Sequence, residues 1–268
     1  MKRILSRDNP LFRHLSRLTD SPRYRREHGT LVLDGEHLID AYFAAFGPRG
    51  VQLVVREGVE NRPATMDRLG RGWDQAPVIF GQNLFDALSP VTTPSGLLAS
   101  APIPSIPAME GAAGFTVLVD GLQDPGNLGA LIRSAAAAGS HDVLLSPGCA
   151  DPWSPRALRG GMGGQFAVRI GEEIDLVQEA QEFPGVVVVA DADGDTSLFD
   201  ADLPQCCAFG IGAEGQGVSP ALRSCAHVVV SIPMARGIES LNAMAAATIL
   251  FYEWRRRRYV GGSNGPDA

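Results

Sequence analysis

The chain has 268 residues, 45% of them apolar, enough to bury a full core without disulfide or metal staples and to form two domains or one large one. No run of about 18 uninterrupted apolar residues appears, so no membrane span is expected. The basic start Met1-Lys2-Arg3 leads into no stretch apolar enough for a secretory signal. The net charge of -7 argues against a polyanionic partner, but its distribution argues the other way. From Lys2 to Arg26 eight basic residues (Lys2, Arg3, Arg7, Arg13, Arg17, Arg23, Arg25, Arg26) face two acids, Asp8 and Asp20. A second basic block, Arg255 to Arg258, closes the last helix. Either block is a solvated face or a nucleic-acid contact. Cysteines 149, 206, 207 and 225 have no C-x-x-C spacing, so buried thiols in a reducing cytoplasm are expected rather than a zinc site.

In chain order, Asn9 to Leu18 predicts a helix. Thr30 to Leu33 predicts a strand that leads through Asp34-Gly35 into a helix over Glu36 to Phe46. Val51 to Val55 predicts a strand, Ala64 to Leu69 a helix, and Val78 to Phe80 and Gly96 to Ala99 two more strands. These make a small α/β unit over residues 1–105. Ala101 to Ala108, with prolines at 102, 104 and 107, then reads as the start of an extended linker, centred on 106–114. Beyond it, near-continuous apolar runs at Phe115–Val119, Val143–Leu145, Val186–Ala190, Ala208–Ile211 and Val228–Ile232 predict strands buried on both faces, hence a mainly parallel sheet over 115–260. Leu128 to Ala138 predicts an Ala-rich helix, and Ser240 to about Arg258 a final one with Leu241, Met244, Thr248 and Phe251/Tyr252 along one face. The tail 261–268 is expected to be disordered.

Three loops follow predicted strands, and in open α/β sheets ligands collect at the carboxyl ends of strands. The first runs from Asp120 through Pro125-Gly126-Asn127 to Arg133. Asn127 and Arg133 are six apart, so they converge only if Asn127 sits above the helix as its N-cap. Arg133 stands among Leu131, Ile132, Ala135 and Ala136, where a charge needs a partner, and Glu214 is the candidate. The second loop holds Gly210, Gly212 and Gly215 in a formal G-x-G-x-x-G, but Ser219-Pro220 interrupts the helix that a dinucleotide fingerprint requires, and no acid ends the next strand. Its glycines do permit close backbone approach to a ligand. The third, Ile232-Pro233-Met234 to Glu239-Ser240-Leu241-Asn242, enters the last helix, with Ser240 as the expected N-cap and Asn242 in the first turn.

Together these segments resemble the three motifs of the SpoU/TrmH family of SPOUT RNA 2′-O-ribose methyltransferases. Asn127, Gly129 and Arg133 match the first. Gly212, Glu214, Gly215 and Gly217 match the second. Ile232, Pro233, Met234, Glu239, Ser240, Leu241 and Asn242 match the third. Leu33-Asp34-Gly35-Glu36, Ser89-Pro90, Thr93 to Gly96 and Arg159 to Gly163 resemble further family segments, so the resemblance covers nearly the whole chain. It implies an α/β methyltransferase domain with a deep trefoil knot, which topology rules alone would exclude, a smaller N-terminal α/β domain that binds structured RNA, and a homodimer. It implies S-adenosylmethionine as cofactor, contacted through Gly212, Ile232 and Leu241. Arg133 would engage the ribose hydroxyl, with Asn127, Glu214, Ser240 and Asn242 completing the catalytic site. Because an arginine stays protonated in proteins, Arg133 is read as stabilising the developing alkoxide, with a phosphate or water taking the proton. Ribosomal RNA is favoured over transfer RNA, because family members with a separate N-terminal domain are mostly of that sort.

Two other readings stand beside this one: a non-catalytic RNA-binding or ribosome-associated α/β protein, and a nucleotide-dependent oxidoreductase. Asp191 to Asp195 looks like a calcium loop but lacks Gly at the sixth and Glu at the twelfth position, so a turn is expected. The five histidines are scattered and suggest no metal site.

Overall fold

The structure, a computed structural model, describes residues 1–89, 94–107, 114–213, 215–238 and 241–261, the side chains of 259–261 excepted. In chain order the elements are β1 (Lys2–Ile4), α1 (Pro10–Asp20), α2 (Pro22–His28), β2 (Thr30–Asp34), α3 (Glu36–Phe46), β3 (Gln52–Arg56), α4 (Pro63–Leu69), β4 (Val78–Phe80), α5 (Gln82–Leu88) and β5 (Leu97–Pro102). Then come β6 (Phe115–Asp120), α6 (Pro125–Ala138), β7 (Ser140–Leu145), α7 (Pro155–Gly161), β8 (Arg169–Gly171), α8 (Leu176–Glu182), β9 (Val186–Ala190), β10 (Thr196–Ser197), β11 (Cys207–Gly212), α9 (Pro220–Ser224), β12 (Val228–Ser231) and α10 (Ala243–Gly261). They cluster into two compact units, Met1–Ser105 with Asp151–Phe166, and Ile106–Ala150 with Ala167–Ala268.

The first unit holds a five-stranded mixed sheet in the order β1-β4-β3-β5-β2, with β5 antiparallel to both of its neighbours. Its strands read as apolar runs because they are covered on both faces: Leu31, Leu33, Leu53, Val54, Val55 and Leu97 are fully buried. The Asn9 carboxamide caps α1, Pro10 opens it, and Phe12, Leu15 and Leu18 form its inner stripe. Ser21 ends α1 and at the same time caps α2, its hydroxyl accepting from Tyr24 N–H at 3.2 Å, so the two helices turn within one residue. Ala101 and Pro102, read from sequence as linker, instead end β5 opposite Leu31 and Thr30. Pro102 lies past the last residue that pairs with β3, so its missing N–H breaks no bond on that side. The Asp151–Phe166 segment joins this unit through a buried ion pair. Arg25, 3% exposed, meets Asp151 at 2.6 Å and also donates to the carbonyls of Leu18 and Thr19. Phe166 packs edge-on against Tyr42 at 5.4 Å.

The second unit is a seven-stranded, wholly parallel sheet in the order β10-β12-β9-β11-β6-β7-β8. One core joins Phe115 on β6 and Phe209 on β11 to Phe251 and Trp254 on α10, with ring centroids 4.9–5.2 Å from that of Phe115. The inner face of α10 is Ala247, Leu250, Phe251 and Trp254, while Leu241 precedes the helix and Tyr252 is 46% exposed, which corrects the face read from sequence. The C-terminal arginines are also not a free basic patch. Arg257 donates to the carbonyls of Leu198, Phe199 and Ala201, Arg258 to those of Trp254 and Leu203, and Arg255 to Ala138. Arg256 and Arg257 both pair with the buried Glu253. These guanidiniums tie the last helix down. The Asp191 segment is a turn, with Asp193 N–H donating to Asp191 Oδ1 at 3.0 Å. Of the four thiols only Cys207 is buried, and Cys206 is exposed, contrary to the expectation of buried thiols. Among the described residues no helix is long and apolar enough to cross a membrane. The expected tail lies outside the described residues from 262 onward.

Candidate functional site

Parallel pairing places the carboxyl ends of β6, β11 and β12 along one sheet edge, and each of the three loops leaves from that edge. Gly212 is registered against Asp120, so the first and second loops start side by side. Asp120 then joins them: its Oδ2 accepts from Ser219 N–H at 2.8 Å and its Oδ1 from the Ser146 hydroxyl at 3.4 Å. Sequence reasoning assigned Asp120 no role. Its one signal was an acid ending an otherwise apolar strand.

The second loop folds back on its own strand. Gly217 N–H donates to Ala213 O at 2.9 Å, and Gly215 and Gly217 take φ of +80° and +67°, conformations that glycine adopts without strain. This return brings backbone against Gly212. A Cβ there would stand 1.9 Å from Gly217 C and 2.2 Å from Val218 N, so no side chain fits at position 212. Glu214 lies outside the described residues.

The first loop enters α6 differently from expectation. Asp124, not Asn127, is the N-cap, its carboxylate accepting from Asn127 N–H at 2.9 Å. Pro125 then takes the first helical position, and Asn127 stands in the first turn, half-buried. Both Asn127 and Arg133 are therefore helical, roughly 9 Å apart along the axis and about 120° apart around it. Arg133 is exposed, and among the described residues none pairs with it.

The third loop is tied to the first through α10. Thr248 donates to the Ser134 hydroxyl at 3.0 Å, and Arg255, about two turns further on, reaches Ala138 O at 3.2 Å. The two contacts advance together, so α6 and α10 run in the same direction with their amino ends at the same side. Asn127 lies seven residues before Ser134 and Asn242 six before Thr248, which puts both roughly 10 Å above that contact. β12 and α10 are thus joined by the third loop, although β9 and β11 separate β12 from β6 in the sheet. Asn242 is the N-cap of α10: its Oδ1 accepts from Met244 N–H at 2.9 Å, and its carbonyl from Ala246 N–H at 3.0 Å. The expectation of Ser240 as cap is corrected, because the helix starts at Ala243; Ser240 itself lies outside the described residues. Ile232 follows β12, half-buried against the core, and Leu241 is 37% exposed beside the cap. The edge thus gathers Asn127, Gly212, Ile232, Leu241 and Asn242 as strand-end and helix-start positions. Arg133 stands on the outer face of α6, apart from them.

Known proteins give this arrangement a context. Residues 114–252 match the model of the SpoU rRNA Methylase family. An uncharacterized tRNA/rRNA methyltransferase of Synechocystis sp. is 30% identical over 98% of this chain and 96% of its own length. A 23S rRNA (uridine(2479)-2′-O)-methyltransferase of Streptomyces viridochromogenes is 41% identical, over 58% of this chain and 56% of that protein. Among solved structures, the SpoU methyltransferase AviRb of S. viridochromogenes in complex with the cofactor AdoMet superposes with a TM-score of 0.80 at 27% identity, covering 94% of this chain and all of that one.

Proposed function

Because the chain belongs to the SpoU rRNA methylase family, we propose that it methylates a ribose 2′-hydroxyl of RNA, ribosomal RNA in the first place, with S-adenosylmethionine as donor. The observation that carries this is the enforced closeness at Gly212, where backbone returns over a strand end so tightly that no Cβ can enter. That contact holds the main-chain groups of the loop in place at the strand end, a cradle that suits a nucleoside bound through backbone. The donor would be held by Gly212, Ile232 and Leu241 through their backbones and would supply an already activated methyl group.

What the chain itself does is position and polarise. Asp120 and Ser219 keep the first two loops in register, Asn242 caps α10, and Thr248 ties that helix to α6. Asn127, Glu214, Ser240 and Asn242 complete the catalytic set in this proposal. Arg133 presents a planar fork of donors to the oxygen as negative charge develops on it, while a substrate phosphate or water accepts the proton. Its exposure on the outer face of α6 suits a pocket completed by a second copy of the chain. The homodimer and the trefoil knot implied by the family resemblance belong to the same proposal.

The test is titration calorimetry with S-adenosylmethionine together with methyl transfer by Arg133→Lys. The proposal expects donor binding by both proteins and transfer lost by about a hundredfold or more in the variant, since a point charge does not replace the fork. Near-full transfer by Arg133→Lys, or no donor binding by the wild type, contradicts it.

A further inference from the structure

The α1–α2 corner of the first unit holds a cluster of aromatic and basic groups that methyl transfer does not use. His14 and Arg17, one turn apart on α1, face Tyr24 and His28, one turn apart on α2, because Ser21 turns the chain so sharply between the helices. The Tyr24 and His28 rings stack with centroids 3.8 Å apart and planes 31° from parallel. His14 Nδ1 is hydrogen-bonded to the Tyr24 hydroxyl at 3.0 Å, and its ring lies 5.5 Å from that of His28. The Arg17 guanidinium sits 5.6 Å from the Tyr24 centroid. Tyr24 packs inward against the core of the unit, whereas His28 is exposed. The stack therefore ends in an aromatic face open to solvent.

The charges around it are unequal. Arg3 pairs with Glu57 and Glu60, Arg13 with Asp8, Arg23 with Glu27, and Arg25 is buried against Asp151. Arg17 has no carboxylate partner among the described residues and is exposed. Four of the eight basic residues read from the sequence thus have a carboxylate partner, and Arg17, which has none among the described residues, lies over the Tyr24 ring. Burial and the facing His28 hold His14 below the usual imidazole range. The pair is set apart from a metal site, since among the described residues no three His, Cys, Asp or Glu side chains converge.

We infer that this corner binds a single-stranded nucleotide of the RNA substrate, whose base extends the Tyr24–His28 stack on the outer face of His28 while its phosphate meets Arg17. The inference rests on the RNA-methyltransferase reading for the class of ligand. Aromatic platforms beside a cation take unpaired bases of any sequence, whereas paired bases have their faces covered. The corner therefore selects for an unpaired segment next to structured RNA.

The probe is fluorescein-labelled decaadenylate RNA, alone and annealed to decauridylate, followed by anisotropy with the full chain. The wild type is expected to prefer the single strand. His28→Ala, at an exposed position at the end of α2, is expected to lose about tenfold in affinity for the single strand with little change for the duplex or in Tm, and His28→Trp to restore it. Arg17→Gln should weaken both and reduce the salt slope by about one. Photo-crosslinking of a bromouridine-substituted decamer should label the Pro22–Thr30 stretch. Equal single-strand binding by His28→Ala, a duplex preference in the wild type, or crosslinks only elsewhere overturns the inference. Calorimetry with S-adenosylmethionine on the same proteins keeps the two readings separate: donor binding should be unchanged in all of them, and its absence from the wild type would remove the enzyme while leaving the RNA result standing.

Discussion

Replacing Gly212 by alanine tests the cradle at its narrowest point. The new methyl would stand 1.9 and 2.0 Å from the carbonyl carbon and oxygen of Gly217 and 2.2 Å from Val218 N, all of them backbone atoms. Real contacts of this kind begin near 3.4 Å, so the 213–218 return must retreat by more than 1 Å. Overpacking of this sort costs about 1–3 kcal/mol, a fall in Tm of roughly 3–10 °C for a unit of this size. The functional loss should be larger, because about 1 Å of misplacement in a positioned site costs on the order of a hundredfold in rate. The assay pairs thermal unfolding with donor affinity and methyl transfer. Gly210→Ala is the control: its methyl would be crowded by Val189 Cγ2, at 2.9 Å, a side-chain atom that can shift, with Leu222 and the Val188 carbonyl at ordinary contact distances of 3.8 and 3.9 Å. If Gly212→Ala kept wild-type donor affinity and transfer, or if Gly210→Ala were damaged as badly, the cradle would not be what holds the donor.

Other outcomes follow from the same geometry. Asn242→Ala should lose about 1 kcal/mol of stability with the cap, while Asn242→Asp should recover the Tm but not methyl transfer; recovery of both would leave Asn242 a cap alone. The Arg256 guanidinium beside Glu253 holds that carboxyl down to about 2, aided by Arg257. A depressed carboxylate contributes stability above its unfolded value of 4.5 and loses it as pH falls toward 2, so wild type should lose about 1–2 kcal/mol more than Glu253→Gln between about pH 5 and 2, after discount for the exposure of Arg256. Parallel stability curves in chemical denaturation would refute that. Burial pushes the Cys207 thiol up to about 12, whereas Cys206 is exposed, so Cys206→Ser should remove rapid alkylation at this pair and Cys207→Ser should leave it.

Periodicity carried most of the second unit. The runs at Phe115, Val186, Ala208 and Val228 are strands because each is buried on both faces, and an unbroken apolar run has few other uses in a parallel sheet. Short elements were silent: β1 has three residues, and α2 is a run of charges whose one buried side chain is Arg25. No local pattern marks Asp151–Phe166 as packing with the first unit, because the contacts that place it there, Arg25 with Asp151 and Tyr42 with Phe166, join residues more than a hundred positions apart. Charge counts misled for a related reason. The run Arg255–Arg258 reads as a patch until its carbonyl partners on the 198–203 stretch are seen. At the site, motif order was legible, but capping was displaced: Asp124 and Asn242 hold the helix starts that Asn127 and Ser240 were expected to hold.

The most direct measurement is nucleoside mass spectrometry on ribosomal RNA from a strain lacking this gene, treated with the purified protein and S-adenosylmethionine. The account predicts one new ribose-methylated nucleoside with wild type and almost none with Arg133→Lys. A methyl group on a base, or no transfer to any RNA by a protein that binds the donor, would contradict it.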